Sequence, residues 1–137
     1  MKRFAATLAS FALMTSASAD MEIRLTIDGK AIDATLLDNA SARDFFSLLP
    51  LTLALEDYAS TEKISYLPRK LSTAGAPAGV DPDPGDIAYY APWGNLAIFY
   101  KDAGYAKGLV KLGRLESGIE TLRAAGSAKV TIESWHK

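Results

Sequence analysis

The sequence predicts a mainly β protein, eight strands closed into a barrel with two α-helices covering its ends. Three observations predict it. Eight short runs of alternating or β-rich residues recur between turn signals. Only two segments carry helical spacing behind a capping residue. Few apolar edges remain for an open sheet to hide, which favours a sheet that closes on itself.

The chain begins with a segment that belongs to processing rather than to the fold. Lys2 and Arg3 are basic, Phe4 to Met14 is apolar, and Ala17-Ser18-Ala19 is a small-residue cleavage pattern. Cleavage is expected after Ala19. The apolar stretch is too short to cross a bilayer core, which takes about 20 residues. The expected division is a secretory signal peptide over 1–19 and one domain over 20–137, periplasmic or secreted, with no membrane attachment once the leader is removed.

The remaining 118 residues suit one core. Without Lys2 and Arg3 they carry 13 basic against 16 acidic residues, a net charge of −3 with no basic run. A nucleic-acid partner is excluded on that ground. There is no cysteine, so apolar burial must hold the fold.

The first strand is Met21 to Asp28, where Met21, Ile23, Leu25 and Ile27 alternate with polar residues. Asp28-Gly29 is a hairpin turn, and Ile32, Ala34 and Leu36 continue the alternation. A helix follows, with Ser41 as N-cap, Asp44 three residues on, and Phe45, Leu48 and Leu49 on one face; Pro50 ends it. Leu51, Leu53 and Leu55 mark a third strand, 57–61 a turn, and Lys63 to Leu67 a fourth strand. Pro68 to Pro84 holds four of the six prolines and reads as a long loop.

Gly85 to Tyr100 is the densest aromatic segment, with five of the eleven aromatics of residues 20–137, and Pro92 to Asn95 splits it into a hairpin. Alternation places Tyr89 and Tyr90 on opposite faces, and likewise Phe99 and Tyr100. After a turn over 101–106 come a strand at Leu109 to Leu115 and a helix capped by Ser117 and Glu120 that carries Ile119 and Leu122 inward. Gly126 is the stop, and Lys129 to Glu133 is the last strand.

This order of elements resembles the cyclophilin barrel. GLVKLGRLESGIETLRA, 108–124, and KVTI, 129–132, are similar to the corner, helix and last strand of cyclophilins; PDPGDIAYYAP, 82–92, is similar to the strand entry before them. The whole of 21–133 resembles a small bacterial cyclophilin-like group. The shared motifs are the helix and strand over 38–53, ISYLPRKL over 64–71, and YYAPWGNLAIFY over 89–100. The resemblance implies a closed eight-stranded cyclophilin-like barrel from a bacterial source, and no settled activity.

Cyclophilins are prolyl isomerases, with an arginine in a Phe-His-Arg pattern and a Gln-Gly-Gly-Asp strand. The matching strands here read LTLALEDY and KISYL, with neither. The cation that draws the imide lone pair out of resonance is missing from its place, so no catalytic residue is carried over. Arg69, from the loop, is the one candidate for the same space.

Other chemistry finds little support. His136, next to the C-terminus, is the only histidine, and Asp81, Asp83 and Asp86 read as turn carboxylates rather than a calcium loop. No metal or cofactor is expected. The leading expectation is an exported, non-catalytic module that binds a peptide or small molecule in a groove between the long loop and the aromatic hairpin. Arg69 would supply charge, Asn95 hydrogen bonds, and Tyr90, Trp93 and Phe99 contact area. The alternatives are an isomerase with a displaced arginine, Arg69, and a homo-oligomeric interaction protein.

Overall fold

The structure, a computed structural model, describes residues 21–136; the leader expected over 1–19 lies outside the described residues. Strict alternation makes β1 (Met21–Ile27) a half-buried strand, with Ile23, Leu25 and Ile27 inside. Asp28 and Gly29 take positive φ, 49° and 79°, the backbone a right-twisted two-residue hairpin requires. They return the chain into β2 (Lys30–Leu36), paired from Ile27↔Lys30 to Met21↔Leu36.

The first helix, α1 (Ala40–Ser47), starts earlier than Ser41 would cap it. Asn39 is the cap, its Oδ1 accepting the Ala42 N–H at 2.8 Å. Ser41 is instead buried and donates to the Ser72 carbonyl, and Asp44 turns away from the helix start. A tertiary partner has outcompeted the local cap at both residues.

The hairpin of β3 (Leu51–Tyr58) and β4 (Glu62–Tyr66) is longer than its apolar pattern predicted, running to a Tyr58↔Glu62 pair. The stretch 68–84 is not bare loop. Within it β5 (Gly79–Val80) pairs with β8 (Ala106–Lys107) as a separate two-stranded sheet. Leu71 is buried, its N–H donating to Tyr89 Oη at 3.1 Å. The aromatic hairpin is β6 (Asp86–Tyr90) and β7 (Asn95–Phe99), followed by β9 (Leu109–Leu115). The second helix, α2 (Ile119–Ala124), begins at a left-handed Gly118 with no side-chain cap, so the Ser117–Glu120 box does not form; Glu120 pairs with Arg123. The last strand is β10 (Ala128–Ser134).

Eight strands close into an antiparallel barrel in the order β1-β10-β3-β4-β7-β6-β9-β2. The last join, β2 to β9, runs Ala34↔Leu115 to Leu36↔Gly113. Gly113 permits it, because a Cβ there would lie 2.2 Å from the Thr35 carbonyl oxygen and 2.8 Å from Leu36 Cα. Inward residues fill the interior, Tyr89, Ile23, Leu25, Ile87, Leu96 and Leu112 among them, with Phe45 of α1 and Leu122 of α2 sealing the ends.

Among the described residues, two charged side chains meet on the inward phase of the β3–β4 pair, Lys63 and Asp57. Lys63 is fully buried; its Nζ meets Asp57 Oδ1 at 2.9 Å and donates to the Ala125 carbonyl. Tyr100 Oη donates to the same carboxylate at 2.8 Å. These bonds hold the Asp57 carboxyl below its usual range, the Lys63 bond most. A carboxyl so lowered stabilises the fold above its unfolded pKa, and that contribution is lost as pH falls through the folded value. Removing one partner so that a buried charge is left uncompensated is costly, roughly 3 kcal/mol or more, whereas removing the buried charge itself leaves only a solvent-reached partner behind. Because Asp57 keeps half its exposure, Lys63→Met is expected to cost less than Asp57→Ala in urea unfolding at neutral pH. The opposite order would show that the ammonium is not sealed.

Candidate binding site

Alternation along the barrel wall sends a second set of residues outward. Ala88, Ala97, Phe99 and Leu109 form a small apolar cluster outside the wall, with Ile64, Val80, Tyr90 and Ala106 against it. The β5–β8 sheet supplies Val80 and Ala106, so the pairing hidden in the long stretch covers part of this outer cluster.

Beside the cluster lies a cleft of about 280 Å³. It stands at the small end of ligand pockets, which run from roughly 300 Å³. Tyr58, Tyr90, Trp93 and Phe99 supply its aromatic walls, Thr61, Glu62 and Asn95 its polar groups, and the 103–106 segment one rim. Trp93 touches two of the rings edge-on, Tyr58 with centroids 5.4 Å apart at 90° and Tyr90 at 5.3 Å and 82°. It remains 48% exposed, so the corner they form is open to solvent.

Local geometry places Trp93. It sits on the β6–β7 turn, where the Gly94 N–H donates to the Tyr90 carbonyl at 2.8 Å and the Ala91 N–H to the Gly108 carbonyl at 2.9 Å. Gly108 has φ 85°, and a Cβ there would lie 2.8 Å from the Pro92 ring. The proline therefore seats directly on backbone, fixing the corner that carries Trp93. Opposite, Tyr58 precedes a turn in which Ala59 and Ser60 both take positive φ, 55° and 57°, without glycine; such strain gathers at functional sites.

Two polar groups define the chemistry. Asn95 is 2% exposed; its Nδ2 donates to the Leu96 carbonyl at 3.1 Å, which fixes the amide's orientation, and its Oδ1 has no partner among the described residues. A buried acceptor left unbonded is costly and uncommon. Glu62 accepts from Thr61 Oγ1 at 2.6 Å, and burial raises its carboxyl pKa against that bond. Among the described residues no Lys, Arg or His lines the cleft.

Tyr90, Trp93, Asn95 and Phe99 thus meet at one cleft; Arg69 does not join them. Its guanidinium grips Asp44 of α1 at 2.7 and 3.0 Å and reaches Ser47 Oγ at 3.2 Å. Asp44 also accepts the Ser72 N–H, and these bonds lower its carboxyl pKa, the Arg69 bond foremost. Arg69 therefore ties the long stretch to α1. The groove lies elsewhere than expected as well, between the hairpin, the β3–β4 turn and 103–106. The long stretch borders a second hollow of about 200 Å³ near α1, whose Asn39 and Ser41 already have partners. Asp86 is committed to Lys111 at 3.3 Å and to the Asp83 N–H. Among the described residues no group of three His, Cys, Asp or Glu is placed to hold a metal.

A sequence model of the cyclophilin-like family matches residues 25–133. The chain belongs to the cyclophilin-like family. Among solved structures, a hypothetical protein from Archaeoglobus fulgidus, determined in solution, matches this cyclophilin-like chain with a TM-score of 0.62 at 17% identity. The match covers 85% of this chain and 95% of that one. At that identity the likeness speaks to the fold alone. No curated protein matches the chain significantly.

Tyr58 and Glu62 were missed by sequence reading. Both sit at the end of the β3–β4 hairpin, beyond its apolar pattern. A carboxyl whose pKa is raised on folding favours the fold when protonated, and that contribution is lost as pH rises through the folded value. Glu62→Gln keeps an acceptor for Thr61 and is therefore expected to raise Tm at pH 7. The gain should vanish near pH 3, below the unfolded value of about 4.3. A lower Tm at pH 7 would contradict the burial of this charge.

Proposed function

We propose that this cyclophilin-like protein is an exported, non-catalytic binding module that holds a peptide segment or small organic molecule in the cleft outside its barrel wall. The observation that carries the reading is the convergence of Tyr58, Tyr90 and Trp93 around a buried, unpartnered Asn95 Oδ1. Apolar walls with a few placed polar groups are what ligand pockets share. Export rests on the leader pattern over 1–19; protein recovered from a bacterial periplasm should begin at Asp20 by intact mass.

An isomerase reading needs Arg69 at the cleft, and Arg69 is engaged on α1. A second reading, pairing of two copies, draws on the exposure of Tyr66, Trp93 and Tyr105. A monomer at high concentration in sedimentation removes it.

Chemical-shift mapping with capped dipeptides and small organic fragments tests the leading reading. Binding is expected to move amides over 58–64, 90–99 and 103–109. Trp93→Ala should weaken it about tenfold, the effect of losing roughly 1.4 kcal/mol of contact, and Arg69→Ala should leave it unchanged. Shifts gathered around 74–77, or none, would contradict the proposal.

A further inference from the structure

The free functions of the cleft share one electrical sign. Glu62 brings a carboxyl group to the cleft, and its neighbour in sequence, Lys63, faces the barrel interior and is spent on Asp57. Asn95 Oδ1 is an acceptor with no partner among the described residues, and one of the two amide N–H groups is held by the Leu96 carbonyl. Trp93 stands edge-on to both Tyr58 and Tyr90, and the face of an aromatic ring is the negative end of its quadrupole. Among the described residues no cationic side chain lines the cleft to neutralise this sign.

We infer that the cleft takes an alkylammonium ion, a protonated amine whose charge lies against Glu62 and the three aromatic walls and which donates an N–H to Asn95 Oδ1. The inference rests on the binding reading above and narrows it to one ligand chemistry. An anionic ligand would meet Glu62 with no compensating cation. A neutral apolar ligand would strip water from Glu62 and leave Asn95 Oδ1 unbonded. A quaternary ammonium would satisfy the rings and the carboxylate and have no hydrogen for Asn95. The volume, about 280 Å³, is near nine waters at ~30 Å³ each, enough for an ammonium head and a short carbon chain. A free amine and a lysine side chain of a peptide present the same group.

The test titrates ¹⁵N-labelled protein, at neutral pH and fixed ionic strength, with n-butylammonium, n-butanol and tetramethylammonium, following the Asn95 side-chain amide and the Trp93 indole N–H. Butylammonium should move both signals and bind at least tenfold tighter than butanol. Glu62→Gln should bring that ratio close to one while butanol binding persists, which separates lost charge from lost fold. Tetramethylammonium should bind more weakly than butylammonium, and the reverse would remove Asn95 from the recognition. Capped lysine amide against capped norleucine amide separates the two sources: tighter binding of capped lysine than of butylammonium points to a peptide, equal or weaker binding to a free amine. Equal binding of butylammonium and butanol, or a ratio that Glu62→Gln leaves intact, overturns the inference and leaves the binding module standing. No response to any probe overturns both.

Discussion

The structure depends on one close approach, that of β2 to β9 at Gly113. Completing the ring brings the Thr35 carbonyl and Leu36 Cα to where a side chain would otherwise stand, and both are backbone that cannot swing aside. With the ring closed, none of the eight strands has a free edge, and every inward position must become core or end cap. The interior is then filled by Tyr89 and the aliphatic rows around it. The interior is occupied by buried side chains, and the cleft lies on the outer wall.

The outer wall becomes a site because it has a small core of its own. Paired Ala88 and Ala97 are short enough for Phe99, Leu109 and Tyr90 to pack over them, and the β5–β8 sheet covers one flank. That packing stops short of the β3–β4 turn, where the cleft opens. Its walls come from segments held by separate devices: the hairpin corner seated on Gly108, and a positive-φ turn after Tyr58. Glu62 lines the same cleft, and burial raises its carboxyl pKa.

Much of this was legible in the sequence because alternation reports which face a strand residue takes. It separated Tyr89 from Tyr90 correctly, one to the core and one to the cleft, and it marked the barrel strands. What it missed has physical reasons. Strands of two residues, such as β5 and β8, carry no period, and their partners lie far apart in the chain. Lys63 sits on the inward phase of β4, but an apolar pattern does not count a lysine whose charge is met by Asp57 and a helix-end carbonyl. Arg69 was assigned to the groove by its neighbours in sequence, whereas its geometry is decided by Asp44, 25 positions away. The helix caps shifted for the same reason: Ser41 and Asp44 found tertiary partners that local capping chemistry does not reveal.

The central claim is that Trp93 belongs to an open cleft on the outside of a sealed barrel. Acrylamide quenching of Trp93 fluorescence measures this most directly. The chain has two tryptophans, and Trp135→Phe leaves Trp93 alone while keeping an aromatic ring beneath Arg24, which now stacks on Trp135. Solvent-exposed, long-wavelength emission that acrylamide quenches readily is the predicted result. Blue-shifted emission protected from acrylamide would place Trp93 in a closed core and contradict the account.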